Sequence, residues 1–328
     1  MVLNLGLTAA VNLRPGLRDP LFDLAEERFR ERIATTDDHP ITIAFLGSSR
    51  TGGGIRPAVV QELVEAQTGR KCIAYNLHVP GNGPVGELVH WNRLLDRGAK
   101  PDVVVIEITP PRFASDNGEP DEASLLHGDR LTRPEVRLVR GYGFKPDIET
   151  EYWEANLNPW SGFRFQLLAR VEPKWLPPGI VQHRADIGET GGWGPWDPVP
   201  PAIRAQRVEE VKQAYGSQLH AIRFEGPHVQ AFEELLGECR RDGVKVIVVA
   251  PPEGSEFRSW YPPAVQEKLA AFEERLRREF GVPVIDAREW LPDEAFADSH
   301  HVLRAWAGPY TKRLARDAVV PEVMGGGK

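Results

Sequence analysis

Residues 102–108 read Asp-Val-Val-Val-Ile-Glu-Ile, a run too short for an isolated helix, rich in β-branched side chains and apolar almost throughout. A strand of that composition is covered on both faces, which is the environment of a parallel sheet. Runs of the same kind recur at Ile41–Leu46, Cys72–Leu77 and Val244–Ala250, with a short fifth at Val282–Asp286. Between them lie helical patterns. After a polar helix over about Pro20–Ala34, Val59, Val60, Leu63 and Val64 follow Pro57, a residue suited to a first helical turn. Leu88, Val89, Leu94 and Leu95 precede Gly98, and a helix near Val229–Arg241 ends at Gly243. Val265, Leu269, Phe272, Leu276 and Phe280 form a stripe closed by Gly281, and a last helix covers about Leu303–Asp317. Strands alternating with helices predict an α/β fold with a flavodoxin-like, doubly wound, five-stranded parallel sheet. In such sheets ligands bind beyond the carboxyl ends of the strands.

The rhythm breaks between about residues 112 and 203. This stretch is rich in Pro, Gly and Arg, holds five of the nine tryptophans, and is too long for a structureless loop. It is expected to be an inserted, mainly helical or irregular cap. The domain plan is then an N-terminal helical segment over 1–38, an α/β domain over 39–318 interrupted by the cap, and a flexible tail over 319–328. Residues 2–13 are mostly apolar, yet Asn4, Asn12 and Arg14 leave them short of a spanning helix and unlike a secretory signal. A start that truncates an anchor would look similar. With a net charge of −7, nucleic acid is not an expected partner. Cys72 and Cys239 are expected to be buried thiols, so they do not fix the compartment.

Two segments carry chemistry. In Gly47-Ser48-Ser49-Arg50 a serine sits on the turn from the first strand into a helix, at the carboxyl edge of the sheet. Either serine could simply cap that helix, and a serine alcohol is a weak nucleophile without a base. Asp298-Ser299-His300-His301 supplies what it lacks: an Asp and a His three apart in a turn can bond, the carboxylate fixing the imidazole so that it accepts a proton. Asp298, His300 and His301 also admit a metal reading, but no further ligand is evident in the sequence and none is expected.

The order of these blocks resembles the SGNH (GDSL-like) hydrolase superfamily. Gly47-Ser48-Ser49 occupies the place of its Gly-Asp-Ser, which assigns the nucleophile to Ser49, with His301 and Asp298 completing a triad. Asn76-Leu77-His78-Val79-Pro80-Gly81 is similar to its second block and implies an oxyanion-hole N–H at Gly81. The likeness covers about 41–111 and 244–318. It implies a serine esterase or O-acyltransferase acting on carbohydrate or lipid acyl esters, without a cofactor. The third block departs from the family pattern: where Gly-x-Asn-Asp is usual, Thr109-Pro110-Pro111-Arg112 stands, and proline offers no donor. Losing such a donor typically costs about 2.7–4 kcal/mol. Asn82 and then Arg50 are the expected substitutes. The loss also suits a second reading, a non-catalytic module that binds glycan or a membrane acyltransferase partner.

Two glycine-rich runs compete. Gly81-Asn82-Gly83-Pro84-Val85-Gly86, with Glu107 on the following strand, fits a dinucleotide fingerprint. Gly47 to Gly54 resembles a phosphate loop but lacks its Lys-Ser/Thr ending. Trp193 and Trp196, in Gly-Gly-Trp-Gly-Pro-Trp-Asp, are expected either to stack on sugar or to staple the cap.

Overall fold

The computed structural model describes residues 2–36, 39–116, 119–177 and 191–325. Five strands form one all-parallel sheet: β1 (Ile41–Leu46), β2 (Cys72–Asn76), β3 (Val103–Glu107), β6 (Lys245–Ala250) and β7 (Val284–Asp286), in the order β2-β1-β3-β6-β7. This is the doubly wound sheet that the SGNH resemblance implies. A two-stranded ribbon, β4 (Ser115–Asp116) with β5 (Glu119–Pro120), lies outside it.

Side chains alternate across the sheet, and the alternation sorts the helices. Ala44, Leu46, Tyr75, Val104, Ile106 and Val248 face one layer, made by α2 (Pro20–Thr35), α5 (Pro84–Asp96), α11 (Pro227–Arg241) and α13 (Pro263–Phe280). Ile43, Phe45, Ala74, Val105, Ile247 and Val249 face the other, made by α4 (Pro57–Thr68) and α14 (Arg304–Leu314). Both faces are therefore dry, as the continuous apolar runs require. Each fully buried aliphatic or aromatic side chain contributes about 1.5–3 kcal/mol by leaving water. The stripe Val265, Leu269, Phe272, Leu276 is the buried face of α13, and Gly281 ends it in the left-handed conformation at φ 68°.

The chain leaves the sheet after Glu107 and returns at Lys245. The intervening segment contains α6 (Arg133–Gly141), α7 (Asp147–Leu157), α8 (Pro159–Gly162), α9 (Arg164–Val171) and α10 (Pro201–Ala221) before α11 crosses the sheet. The 21-residue α10 buries only Leu219, so its sequence carries no apolar stripe to announce it. At the N-terminus α1 (Val2–Leu13) precedes α2; it buries Val11 and leaves Leu3, Leu5 and Leu13 exposed. Among the described residues no helix is long and apolar enough to cross a membrane. The region expected as a loose tail is ordered further than its sequence suggests: helical turns continue from Ala315 to Met324, and Ala315, Ala318 and Val319 pack into the second layer. The final three glycine- and lysine-containing positions lie outside the described residues. Cys72 and Cys239 are both buried free thiols, and burial pushes the Cys72 thiol up to about 12.

Candidate active site

Strand β1 ends at Leu46, and α3 (Ser49–Gly54) begins two residues beyond Gly47. Ser48 is the N-cap, its hydroxyl oxygen accepting the Arg50 N–H at 3.2 Å. Capping therefore falls to Ser48 and leaves the Ser49 hydroxyl for the crevice. The turn is held from below by Glu107, at the end of neighbouring β3. One oxygen of this buried carboxylate receives the Ser48 hydroxyl at 2.6 Å and the Thr109 hydroxyl. The other receives the N–H of Ser48 at 3.1 Å, the N–H of Thr51 at 3.0 Å and the Thr51 hydroxyl.

From the far end of the sequence, Asp298 organises a tight turn. Its Oδ1 accepts the N–H groups of Ser299, His300 and His301 at 2.7, 2.9 and 2.9 Å. Its Oδ2 lies 2.6 Å from His301 Nδ1, and His301 Nε2 lies 2.8 Å from Ser49 Oγ. These partners assign the tautomer: Nδ1 carries the proton toward Asp298, and Nε2 is the acceptor for the serine hydroxyl. Burial alone would raise the Asp298 carboxyl, but the adjacent imidazoles and the His301 hydrogen bond outweigh it and hold the group well below the aspartate range. Burial depresses His300 far below the usual histidine range despite Asp298, with Arg50 and Arg112 adding to the effect, so its ring is neutral.

Asp298, His300 and His301 could together offer a metal ligand set among the described residues. Both Asp298 oxygens are already engaged, so the arrangement suits proton transfer better than coordination.

The remaining expected groups are distributed differently. Gly81 is the third residue of a turn closed by the Asn82 N–H to the Val79 carbonyl at 3.0 Å. With Pro80 before it and φ 76°, it satisfies a type II turn, and Leu125 rests against its α-carbon. The amide nitrogen of Asn82 pairs with His90 Nδ1 at 3.2 Å, inside α5. Arg50 points into the fold, 2.7 Å from Glu253 and over the Phe257 ring at 4.7 Å. Burial would lower its pKa, and Glu253 more than restores it. Asn82 and Arg50, the expected substitutes for the third-block donor, thus each have a buried partner that only the folded chain supplies.

The competing glycine runs have structural explanations. Glu122 from the inserted segment accepts the N–H groups of Val85 and Gly86 at 2.8 and 2.9 Å, occupying the helix end where a pyrophosphate would have to bind. Glu107, the acidic residue of that fingerprint, is engaged by the serine turn. In α3 the glycines provide clearance: a side chain at Gly52 would strike the His78 ring, and one at Gly53 the Trp196 ring. Trp196 stacks on His301, with ring centroids 4.1 Å apart and planes at 22°. Trp193 is buried and donates to the Gly53 carbonyl at 2.9 Å, so it cannot face a sugar. Trp153, Trp160 and Trp175 are exposed on the inserted helices.

No family profile matches the sequence, and neither does any curated protein. Solved structures align with it at low identity. TesA shares 11% identity at a TM-score of 0.40, covering 86% of this chain and 99% of that one. A lipase/acylhydrolase from Enterococcus faecalis shares 15% at 0.36, covering 84% and 94%. A candidate acylhydrolase from Bacteroides fragilis NCTC 9343 shares 11% at 0.40, covering 91% and 96%. Likeness of this degree assigns no chemistry, which is left to the residues themselves.

Proposed function

We propose that the protein is an SGNH-type serine hydrolase or O-acyltransferase acting on acyl esters of carbohydrates or lipids. The single supporting observation is the continuous relay from Ser49 Oγ through His301 to Asp298, with links of 2.8 and 2.6 Å. Ser49 Oγ attacks the ester carbonyl while His301 Nε2 takes its proton. Asp298 orients the ring and stabilises its protonated form. The N–H groups of Ser49 and Gly81 are the proposed donors to the tetrahedral oxyanion. Collapse breaks the ester C–O bond, and His301 returns the proton to the departing alcohol. Water then resolves the acyl-enzyme in an esterase, or a sugar hydroxyl resolves it in a transferase. These steps require no cofactor.

The second reading, a non-catalytic SGNH-like module binding glycan or a membrane acyltransferase partner, is favoured by one feature: Pro111 stands where the family places its oxyanion asparagine. Labelling with a serine-reactive fluorophosphonate separates the two. The enzyme reading expects labelling that Ser49→Ala abolishes, together with loss of p-nitrophenyl acetate turnover. Full turnover by Ser49→Ala would refute it, and an unlabelled wild-type protein would favour the module.

A further inference from the structure

We propose that Trp196, carried in by the inserted segment, is a positioning residue that holds the His301 ring in its productive orientation; this rests on the acyl-transfer reading above. The geometry around it is constructed from four separate parts of the chain. The Asn76 N–H donates to the Gly191 carbonyl at 2.8 Å, and the Gly194 N–H donates to the Gly52 carbonyl at 3.0 Å. The Trp193 indole N–H reaches the Gly53 carbonyl at 2.9 Å, and the Arg304 N–H reaches the Trp196 carbonyl at 2.7 Å. Residues 191–197 are therefore a strap stitched to the end of β2, to the serine helix and to the start of α14. Gly53 carries no side chain where one would overlap the indole. That vacancy is unnecessary for helix formation, since alanine is the better helix former. It is required only if the ring lies there.

The task for such a ring is specific. His301 is held at Nδ1 by Asp298 and at Nε2 by Ser49, and the motion that would break both contacts is a pivot of the ring about its Cβ–Cγ bond. Once the serine oxygen has bonded to the carbonyl carbon it no longer donates to Nε2, and the imidazolium of the tetrahedral intermediate is oriented by Asp298 until it protonates the leaving oxygen. A flat indole at 4.1 Å blocks the pivot, and its electron-rich face favours the protonated ring. The other groups about His301 do not offset this. His300, with its centroid 4.0 Å away, is kept neutral by burial, while Asp197 and Arg304 beside Trp196 neutralise each other at 2.8 Å.

The test uses the full chain with p-nitrophenyl acetate and a fluorophosphonate, comparing Trp196→Leu, Trp196→Phe and Gly53→Ala, with thermal unfolding as a check on folding. Trp196→Leu is expected to lower kcat and the labelling rate roughly 5- to 30-fold, with KM within about twofold of wild type. Trp196→Phe restores most of the loss, because a flat ring remains. Gly53→Ala retains every core side chain and every triad residue, yet displaces the indole, and is expected to reproduce the leucine variant's loss. Wild-type kcat and labelling in both Trp196→Leu and Gly53→Ala would overturn the proposal. A rise in KM at constant kcat would also overturn it, since that is the signature of a substrate platform. Persistent turnover by Ser49→Ala would instead sink the parent reading, so the two failures are distinguishable.

Discussion

Glu107 is the residue whose loss should damage the serine turn most without touching the reacting atoms. Its buried side chain receives five hydrogen bonds, from two backbone N–H groups and three hydroxyls. The hydroxyls of Ser48, Thr51 and Thr109 can rotate toward other acceptors. The N–H groups of Ser48 and Thr51 cannot, and each buried donor left unpaired costs about 1–3 kcal/mol. Glu107→Ala is therefore expected to destabilise the protein by about 2–6 kcal/mol. The turn that sets Ser49 against His301 would also relax, and a displacement on the order of 1 Å lowers the rate about 100-fold. Glu107→Gln is the informative contrast. Its amide oxygen can still accept both N–H groups, so the loss is confined to the difference between charged and neutral acceptors, about 1–2 kcal/mol. Urea unfolding followed by tryptophan fluorescence measures the first quantity, and the fluorophosphonate labelling rate measures the second. If Glu107→Ala unfolds at the wild-type midpoint and labels at the wild-type rate, the carboxylate is not what supports the turn.

Two further outcomes follow from the charges. Asp298→Asn keeps the size of the carboxylate but offers Nδ1 of His301 the wrong partner, and kcat is expected to fall roughly 10³–10⁴-fold, measured by ester hydrolysis at pH 7. Burial raises Glu273, on α13, to about 7, with Asp286 adding to it and Arg288 and Arg277 opposing. Its folded pKa lies above the unfolded value, so the stability it contributes is complete below about pH 4.5 and is lost as pH rises through 7. Glu273→Gln should thus match wild type at about pH 4 and exceed it by about 1–3 kcal/mol at about pH 8 in urea unfolding; an equal difference at both pH values would exclude the mechanism.

The sheet was legible because its strands are dry on both faces, and dryness on both faces writes itself as an unbroken apolar run. The Asp298–His301 contact was legible because both residues lie in one turn. The meeting of Ser49 with His301, 252 residues apart, is a tertiary fact that no local spacing encodes; only the resemblance suggested it. Side-chain direction was the weakest inference. Asn82 looks like a spare donor beside Gly81 until His90 is brought alongside it, and Arg50 looks exposed until Glu253 closes on it. Glu107 could be read as an acid at a strand end, but its work depends on β1 lying next to β3. The glycines of α3 looked like a phosphate cradle, because a sequence cannot distinguish room left for a ligand from room left for the protein's own rings.

The strap at residues 191–197 also sets where this protein can be shortened. The inserted segment looks like an accessory that could be trimmed to leave a minimal α/β unit. Its last few residues, however, are bonded to the serine helix, the edge strand and the final helix, and they carry the indole that lies on the histidine. A truncation that removes them would leave a well-formed sheet with an unsupported imidazole. A minimal version that keeps these contacts must rejoin the chain ahead of Gly191, so the boundary of the unit that holds Ser49, His301 and Asp298 together falls inside the insertion and not at its end.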